Sequence, residues 1–412
     1  MRINDRRISM KDYASVLKNS TPIWAKMPKI VVLGLGGGGS NAINRMIENG
    51  MQGVTFVSAN TDAQALAKNL APHKIQLGPK STRGLGAGGL PPVGESAAEE
   101  SYREITEVLD GAEMVFLTAG MGGGTGTGAI PVAAKIAKSI GAVTIAVVTR
   151  PFSFELGRRQ KNAEDGLQKL RKYVDTLIVI PNDRLIEVAP KDLPLEMAFT
   201  LADDVLRQGV QGIAELITET GMINVDFSHI KQIMKRGGGA LMAIGTGEGP
   251  EKAKQAIETA LHHPLLEDID LTMATGMIAN FTGGEDLTFY EVAHAMSILQ
   301  NKSGNRAEII PGVINDPRME NRVELILIIT GVGAIEVEES FISKVPQQIK
   351  KEYAEETQPN IIEQTPIKKN NPTPIKTQII DDEIGNQYMP IPDFSSNLDI
   401  PAFLRRRTQA EK

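Results

Sequence analysis

The glycines of this chain are concentrated in four short clusters, at residues 34–39, 84–94, 120–128 and 237–249. These clusters hold 22 of the 40 glycines, whereas a flexible linker spreads glycine among serines over a long stretch. Glycine at this density lets backbone N–H groups turn towards a ligand, because no Cβ obstructs them. The first three clusters therefore predict ligand-binding loops, and the fourth predicts a tight turn beside a strand.

Short apolar strands precede two of these clusters and alternate with helices along the first half of the chain. They include Ile30–Leu33, Met114–Leu117, Val143–Val148 and Thr176–Ile180. Such nearly continuous apolar strands predict an α/β fold with a Rossmann-like parallel sheet that helices cover on both faces. Ligands of such sheets bind outside the carboxyl ends of the strands, which is where the glycine clusters lie.

The remaining pattern predicts how the chain is divided. Apolar residues recur at helical spacing over residues 196–221 and predict a central helix buried between two domains. After about residue 338 the sequence is rich in proline and polar residues, which predicts disorder. The predicted segments are a flexible N-terminal arm (1–28), a Rossmann-like domain (29–195), the central helix (196–221), a second α+β domain (222–337), a disordered linker (338–396) and a C-terminal docking peptide (397–412).

Composition excludes several classes of protein. A net charge of −6 argues against a nucleic-acid binder, and no apolar run is long enough for a membrane-spanning helix. The absence of cysteine excludes disulfides and thiolate sites, and the five histidines show no zinc-ligand spacing, so no metal site is predicted. We expect a soluble, cytoplasmic chain.

The first glycine cluster is typical of a dinucleotide site. Residues 34–39 match GxGxxG between a strand and a helix, so an NAD-dependent oxidoreductase is the first hypothesis. The alternative is that these glycines only let the helix and the strand approach closely. Residues 58–62 weigh against NAD, because the next strand has no acid directly at its tip for a ribose.

The third cluster, residues 120–128, offers a second anion site at the same edge of the sheet. It also follows a strand and opens a helix, and Thr125 and Thr127 add hydroxyl donors. No lysine follows it as in a Walker A loop. Two anion-binding loops on one sheet suit a nucleoside di- or triphosphate better than a single pyrophosphate.

Residues 122–128, GGGTGTG, resemble the signature of the tubulin/FtsZ superfamily. The resemblance runs from about residue 29 to 335, and it is closest to the bacterial GTPases of this superfamily that act in cell division. It implies that residues 29–195 are a GTP-binding domain and that residues 222–337 are a GTPase-activating domain. Further matching segments are residues 60–66, 84–88, 151–155, 180–183, 224–227, 264–267 and Asp399–Arg407.

The resemblance also implies the nucleotide contacts. The first loop would wrap the diphosphate, the GGGTGTG loop would take the phosphates, and the loop near Gly88 would sense the γ-phosphate. Asp203 would accept hydrogen bonds from guanine, a pairing that adenine cannot offer, although a solvated helix charge is the alternative. The implied contacts are Gly37, Gly38, Gly39, Ser40, Asn41, Ala87, Gly88, Gly124, Thr125, Gly126, Glu155, Arg159, Asn182, Phe199 and Asp203.

The superfamily completes its active site with acids from the next subunit, in the loop after the central helix. Here that loop carries Asn224, Asp226 and His229, and the family usually has a second aspartate where this chain has His229. A histidine can orient or deprotonate water at neutral pH, but it does not hold a cation as a carboxylate does. We therefore expect slowed or pH-dependent hydrolysis, with a neutral replacement as the alternative.

The resemblance implies a GTPase that assembles head-to-tail into filaments of a division ring at midcell in bacteria. GTP and GDP would bind with Mg²⁺ and a monovalent cation, and Asp399–Arg407 would bind membrane-anchor and regulatory division proteins. No nucleic acid and no direct membrane span are expected. An oxidoreductase and a nucleotide-binding scaffold without catalysis remain the alternative hypotheses.

Overall fold

The computed structural model describes residues 28–332, apart from residues 156, 188, 191, 219–222, 224, 237–238 and 267–268. The predicted N-terminal arm (except its last residue), the linker and the docking peptide lie outside the described residues. None of the helices in the described part is long and apolar enough to cross a bilayer.

Ten strands of the described part form a single sheet. They are β1 (Ile30–Leu35), β2 (Thr55–Asn60), β3 (His73–Gln76), β4 (Met114–Gly120), β5 (Val143–Arg150), β6 (Thr176–Pro181), β7 (Gly239–Glu248), β8 (Gly276–Gly283), β9 (Glu308–Asn315) and β10 (Arg322–Thr330). Their order in the sheet is β3-β2-β1-β4-β5-β6-β7-β10-β8-β9.

Helices separate the strands along the chain. They are α1 (Gly36–Glu48), α2 (Ala63–Lys68), α3 (Pro91–Glu100), α4 (Tyr102–Leu109), α5 (Thr125–Ser139), α6 (Arg158–Leu170), α7 (Asn182–Glu187), α8 (Leu195–Thr218), α9 (Phe227–Lys235), α10 (Lys252–Leu261) and α11 (Phe289–Lys302).

Strands β1 to β6 run parallel, and β1 illustrates why they form a sheet covered on both faces. All six of its residues are buried. Ile30 and Val32 pack into the core on one face of the sheet, whereas Val31 and Leu33 pack into the core on the other. Successive side chains of a strand point to opposite faces, so a continuous apolar run needs two cores. The predicted Rossmann-like sheet is confirmed.

The second half of the sheet mixes strand directions. β7 joins β6 in parallel through two residue pairs, Leu177 with Gly239 and Ile178 with Ala240. β10 then runs antiparallel to both β7 and β8, while β8 and β9 are parallel. This mixture agrees with the α+β character predicted for the second domain.

Helix α8 is the central helix and packs against both halves of the sheet. It begins one residue before the predicted start, and the predicted end falls among residues 219–222, outside the described part. A Cβ at Gly209 would lie 2.9 Å from Val147 of β5, and one at Gly212 would lie 2.8 Å from Ile326 of β10. The two glycines therefore let the helix approach strands in both halves of the sheet closely.

The prediction for the fourth glycine cluster is wrong in part. Gly245 and Gly247 lie inside β7 rather than in a turn. A Cβ at Gly245 would overlap the carbonyl oxygen of Ala256, and one at Gly247 would overlap that of Lys252. These glycines let α10 cross the strand closely, and only Gly249, with φ +74°, lies at the bend after it.

Candidate functional site

The carboxyl ends of β1 and β4 mark the point at which the parallel strand order reverses. From β1 the chain continues to β2 and β3 on one side, and from β4 it continues to β5 and β6 on the other. The loops after the two strands diverge at such a point and leave a crevice in which open α/β sheets bind ligands. Three glycine loops meet here: the first loop (residues 34–39), the second loop (120–128) and the third loop (84–90).

The first loop joins β1 directly to α1. Gly36 has φ +70°, and a Cβ on it would lie 2.7 Å from the backbone nitrogen of Gly126, so the first and second loops touch. A Cβ at Gly37 would meet nothing within 4 Å. The N-cap residue Leu35 supplies no side-chain acceptor, which leaves the first N–H groups of α1 available to an anion.

The predicted contacts Gly37, Gly38, Gly39, Ser40 and Asn41 occupy the first turns of α1. Ser40 differs from the others because its side chain is buried and its hydroxyl bonds that of Ser58 at 2.9 Å. This pairing leaves the Ser40 hydroxyl engaged in the core. A ligand in the crevice would therefore meet the backbone of Ser40 rather than its side chain.

The second loop leads from β4 into α5. Its helix also lacks a side-chain cap, because the N-cap residue is Gly124. Gly122 donates its backbone N–H to the hydroxyl of Thr127 at 2.8 Å, which fixes the curve of the loop. The hydroxyls of Thr125 and Thr61 lie 2.6 Å apart. The second loop therefore offers a second uncapped helix N-terminus together with a hydroxyl that a neighbour orients.

The third loop lies against the second. A Cβ at Gly124 would lie 2.9 Å from the Cβ of Ala87 and 2.8 Å from the backbone nitrogen of Leu90. Gly88 and Gly89 have φ of +61° and +73°, a region that L side chains rarely adopt. The predicted residues Ala87 and Gly88 are thus next to Gly124, as a shared phosphate site requires.

Helix α1 also reaches Asp203 of α8. The side chain of Asn41 hydrogen-bonds the carboxyl group of Asp203. Burial raises the pKa of Asp203 to about 7, with the adjacent Asp204 adding to the rise, although Arg45 and Asn41 both favour the charged form. Near neutral pH this carboxyl group is therefore divided between an acceptor-only form and a form that carries a proton.

Three aromatic rings cluster around Phe199, which lies one helical turn before Asp203. The ring of Phe199 meets that of Phe152 edge to face at 5.3 Å between centroids, and Phe154 stacks on Phe152 at 5.1 Å. Phe152 is fully buried, whereas Phe199 is 38% exposed. Because residues four apart lie on the same face of a helix, Phe199 and Asp203 offer one partly open ring beside one carboxyl group.

Asn182 begins α7 directly after β6. It is buried, and its Oδ1 has no hydrogen-bond partner in the protein. The next residue, Asp183, accepts a hydrogen bond from the backbone of Ser153 at 2.9 Å, which ties α7 to the aromatic segment. An unpaired buried amide oxygen is costly, so a ligand that donates a hydrogen bond there would be favoured.

Glu155 and Arg159 form an ion pair with each other. The Glu155 side chain is 8% exposed and also accepts the backbone N–H of Phe152 at 2.9 Å. Arg159 is more than half exposed, and its carbonyl oxygen would lie 2.9 Å from a Cβ at Gly122. The ion pair therefore lies beside the second loop. The Glu155 carboxylate already binds Arg159 and the backbone N–H of Phe152, and so holds this segment together.

The predicted catalytic residues lie elsewhere. Asp226 is the N-cap of α9 and accepts the backbone N–H of Ser228 at 2.8 Å. The hydroxyl and the N–H of Ser228 hold the pKa of the exposed Asp226 below its ordinary value. His229 is exposed on the first turn of α9. Asn224 lies outside the described residues.

Helix α9 packs at the amino end of β6. The hydroxyl of Thr176, the first residue of β6, donates to the carbonyl of Met234 near the end of α9 at 2.6 Å. The glycine loops and Asn182, in contrast, follow the carboxyl ends of their strands. Among the described residues, no contact brings Asp226 or His229 to the three loops.

Three residues that sequence analysis did not single out also belong to this region. The positive charge of Arg45 favours the ionised form of Asp203. Its position four residues after Asn41 could have indicated that the two side chains share one face of α1. Thr61 lies at the end of β2, at the edge where ligands were expected, and it orients Thr125. Asn162 bonds two loop carbonyls, and no sequence pattern indicates that contact.

The family models match the chain in two segments. Residues 29–190 match the GTPase domain of the Tubulin/FtsZ family. Residues 238–333 match the C-terminal domain of the FtsZ family. The two segments fall on either side of the central helix.

Two solved structures of FtsZ from M. jannaschii are similar over most of their length. One, described as an empty FtsZ dimer, is 45% identical and matches with a TM-score of 0.73 over 79% of this chain and 93% of the other. The other, a tryptophan-to-tyrosine mutant of the same protein, is 46% identical with a TM-score of 0.72 over 78% and 95%. Both are archaeal, so the expected bacterial source stays a prediction.

CetZ2 from Haloferax volcanii, described as a GTPγS-bound protofilament, is 22% identical with a TM-score of 0.64 over 79% of this chain and 99% of the other. That likeness supports the fold alone. The identity to FtsZ, its coverage and both family segments favour the GTPase hypothesis over the oxidoreductase. This chain belongs to the tubulin/FtsZ family, a family of GTP-binding, filament-forming proteins of cell division.

Proposed function

We propose that this chain binds GTP in the crevice between the three glycine loops. The observation that carries the proposal is the convergence of two uncapped helix N-termini, those of α1 and α5, at one strand-order reversal. Each terminus favours a phosphate through its free N–H groups and the positive end of its helix dipole. The contact between Ala87 and Gly124 adds the third loop to the same phosphate site.

The base would lie towards Asp203, Asn182 and Phe199. Guanine presents its N1–H and its amino group on one edge, and the Asp203 carboxylate and the unpaired Oδ1 of Asn182 are acceptors. Adenine has no N1–H and would leave an acceptor unpaired. The partly exposed ring of Phe199 offers a surface on which a base can stack.

Mg²⁺ and a monovalent cation would come with the nucleotide. In the described part of the chain, no group of three or more His, Asp or Glu residues could hold a metal by itself. The donors of the crevice are N–H groups and hydroxyls, which suit phosphate oxygens rather than a bare cation. Mg²⁺ commonly binds through substrate phosphates and few protein ligands, so we assign it to the phosphates.

Hydrolysis would require two subunits. The end of α9 at Met234 contacts the amino end of β6, and Asp226 and His229 lie at the start of the same helix, whereas the three loops follow the carboxyl ends of the strands. Head-to-tail stacking would bring the Asp226 side of one subunit onto the crevice of the next. The similar M. jannaschii FtsZ structure described as a dimer is in line with self-association. Asn224, Asp226 and His229 would then act on the terminal phosphate of the neighbour's GTP.

We further propose that the filaments act in a division ring at midcell. Membrane-anchor and regulatory division proteins would bind Asp399–Arg407, a segment that places apolar residues beside three arginines. This part of the proposal rests on family membership and on the sequence pattern. The cytoplasmic location expected from the sequence is proposed on the same basis.

Mixing two inactive variants tests whether the active site lies between subunits. Asp226→Ala keeps the crevice but lacks the catalytic acid, and Gly37→Leu keeps the acid but fills the open space beside the first loop. Each variant alone should hydrolyse no GTP. An equal mixture should regain roughly a quarter of wild-type phosphate release, because random head-to-tail pairing joins an intact crevice to an intact Asp226 in that share of contacts.

A mixture no more active than its separate components would contradict the proposal. Full activity of Asp226→Ala alone would contradict the assigned role of Asp226. Replacing GTP by ATP in the wild-type reaction supplies the specificity control, and phosphate release should then fall to background.

A further inference from the structure

Carbonyl oxygens of the second and third loops converge on one side chain, that of Asn162 in α6. Its Nδ2 lies 3.2 Å from the carbonyl oxygen of Gly122 and 3.3 Å from that of Gly89. An amide nitrogen carries two hydrogens, so one side chain can satisfy both loops at once. The side chain is half-buried, and its contacts join segments 40 and 73 residues away in the sequence.

The tip of the third loop has no side chain of its own to hold it. A Cβ at Gly88 or Gly89 would meet nothing within 4 Å. The backbone around the tip lies against the second loop, because a Cβ at Gly124 would lie 2.9 Å from the Cβ of Ala87 and 3.1 Å from the backbone nitrogen of Gly89. The hydrogen bond from Asn162 adds a directional restraint on the carbonyl group of Gly89.

The same bond sets the direction of a ligand-binding group. In a trans peptide the carbonyl of one residue and the N–H of the next point in opposite directions. Since the Gly122 carbonyl faces Asn162, the N–H of Gly123 faces away from α6. Gly123 precedes the helix N-terminus at Thr125, where the site needs its N–H donors.

We infer that Asn162 is a positioning residue that holds the second and third loops at the spacing needed for the terminal phosphate of GTP. The inference rests on the proposed function, because it requires the nucleotide in this crevice. Asn162 acts through the two loops, since both of its N–H bonds go to their carbonyls. Removing the Asn162 side chain should therefore weaken GTP binding more than GDP binding, because GDP lacks the phosphate that the third loop would contact.

The test is equilibrium binding by the full chain below its assembly threshold. Dissociation constants for GDP and for a slowly hydrolysed GTP analogue would be measured for wild type, Asn162→Ala and Asn162→Leu. The leucine variant keeps a similar side-chain volume without the donors. Gln160→Ala, an exposed neutral change on the same helix, is the matched control. Both Asn162 variants should bind the analogue roughly three- to tenfold more weakly and GDP within about twofold of wild type.

Three results would overturn the inference. An Asn162→Leu variant that binds like wild type would mean that the side chain only fills space. Equal weakening of both nucleotides would mean a general structural role. A wild-type chain that binds neither nucleotide would overturn the proposed function and this inference with it, whereas the first two results leave the proposed function standing.

Discussion

Asp203 carries a carboxyl group whose charge state near neutral pH should control nucleotide affinity. Its pKa is raised to about 7, mainly because the group is buried. Only the ionised form accepts hydrogen bonds from both donors of guanine, so at low pH binding must first release a proton. GDP affinity measured by calorimetry should therefore rise with pH and be roughly tenfold weaker at about pH 6 than at about pH 8.

Asp203→Asn serves as the control for this dependence. The amide keeps the size of the side chain but does not titrate, so its affinity should be weaker and flat across the same range. An Asp203→Asn curve with the wild-type slope would assign the titration to another group.

The sequence resemblance predicts that His229 occupies a position where the family usually has an aspartate, and replacing His229 tests what that difference does. His229→Asp should raise GTP turnover by roughly tenfold or more, because a carboxylate can hold a cation and still orient water. Nucleotide affinity should stay unchanged, since His229 lies away from the loops. Fast, pH-independent wild-type turnover that His229→Asp leaves unaltered would refute this prediction.

At the scale of elements, the contact between α3 and α5 depends on a glycine. A Cβ at Gly128 would lie 2.6 Å from the backbone nitrogen of Glu95 and would overlap the carbonyl oxygen of Pro91. Gly128→Ala should therefore lower the free energy of unfolding by about 1–3 kcal/mol, because backbone atoms must move apart. Urea unfolding measures the change.

Gly37→Leu is the matched comparison, since it also adds a side chain to a glycine of the same region. A Cβ at Gly37 meets open space, so stability should be close to wild type while nucleotide binding is lost. Equal stability of Gly128→Ala and wild type would contradict the account of the α3–α5 contact.

Secondary-structure elements and loops could be predicted wherever the sequence pattern that causes them lies within a few adjacent residues. The apolar run of β1 and the glycines after it lie within ten residues, so strand, loop and helix start follow from adjacent side chains. Gly245 and Gly247 do not form the predicted turn because they allow α10 to cross β7 closely, and glycine spacing alone does not distinguish such a crossing from a turn. The hydrogen bond from Asn162 to Gly89 could not be predicted either, because its acceptor is a backbone carbonyl 73 residues away in the sequence.

At the scale of the whole molecule, the central helix separates the two parts of the proposed active site. α8 has 24 residues, which makes it about 36 Å long at 1.5 Å per residue. Asp203 lies in its first half, and Asp226 follows its end. Two different surfaces that meet between copies make a heterologous contact, and such a contact gives open filaments when its rotation does not close.

The central claim is that GTP hydrolysis happens between assembled subunits. The most direct measurement is phosphate release from GTP against protein concentration, with light scattering followed in the same cuvette. Almost no phosphate release is expected below a threshold concentration, and phosphate release and scattering should rise together above it. Phosphate release proportional to concentration from the lowest values, without scattering, would mean a self-contained active site and would contradict the account.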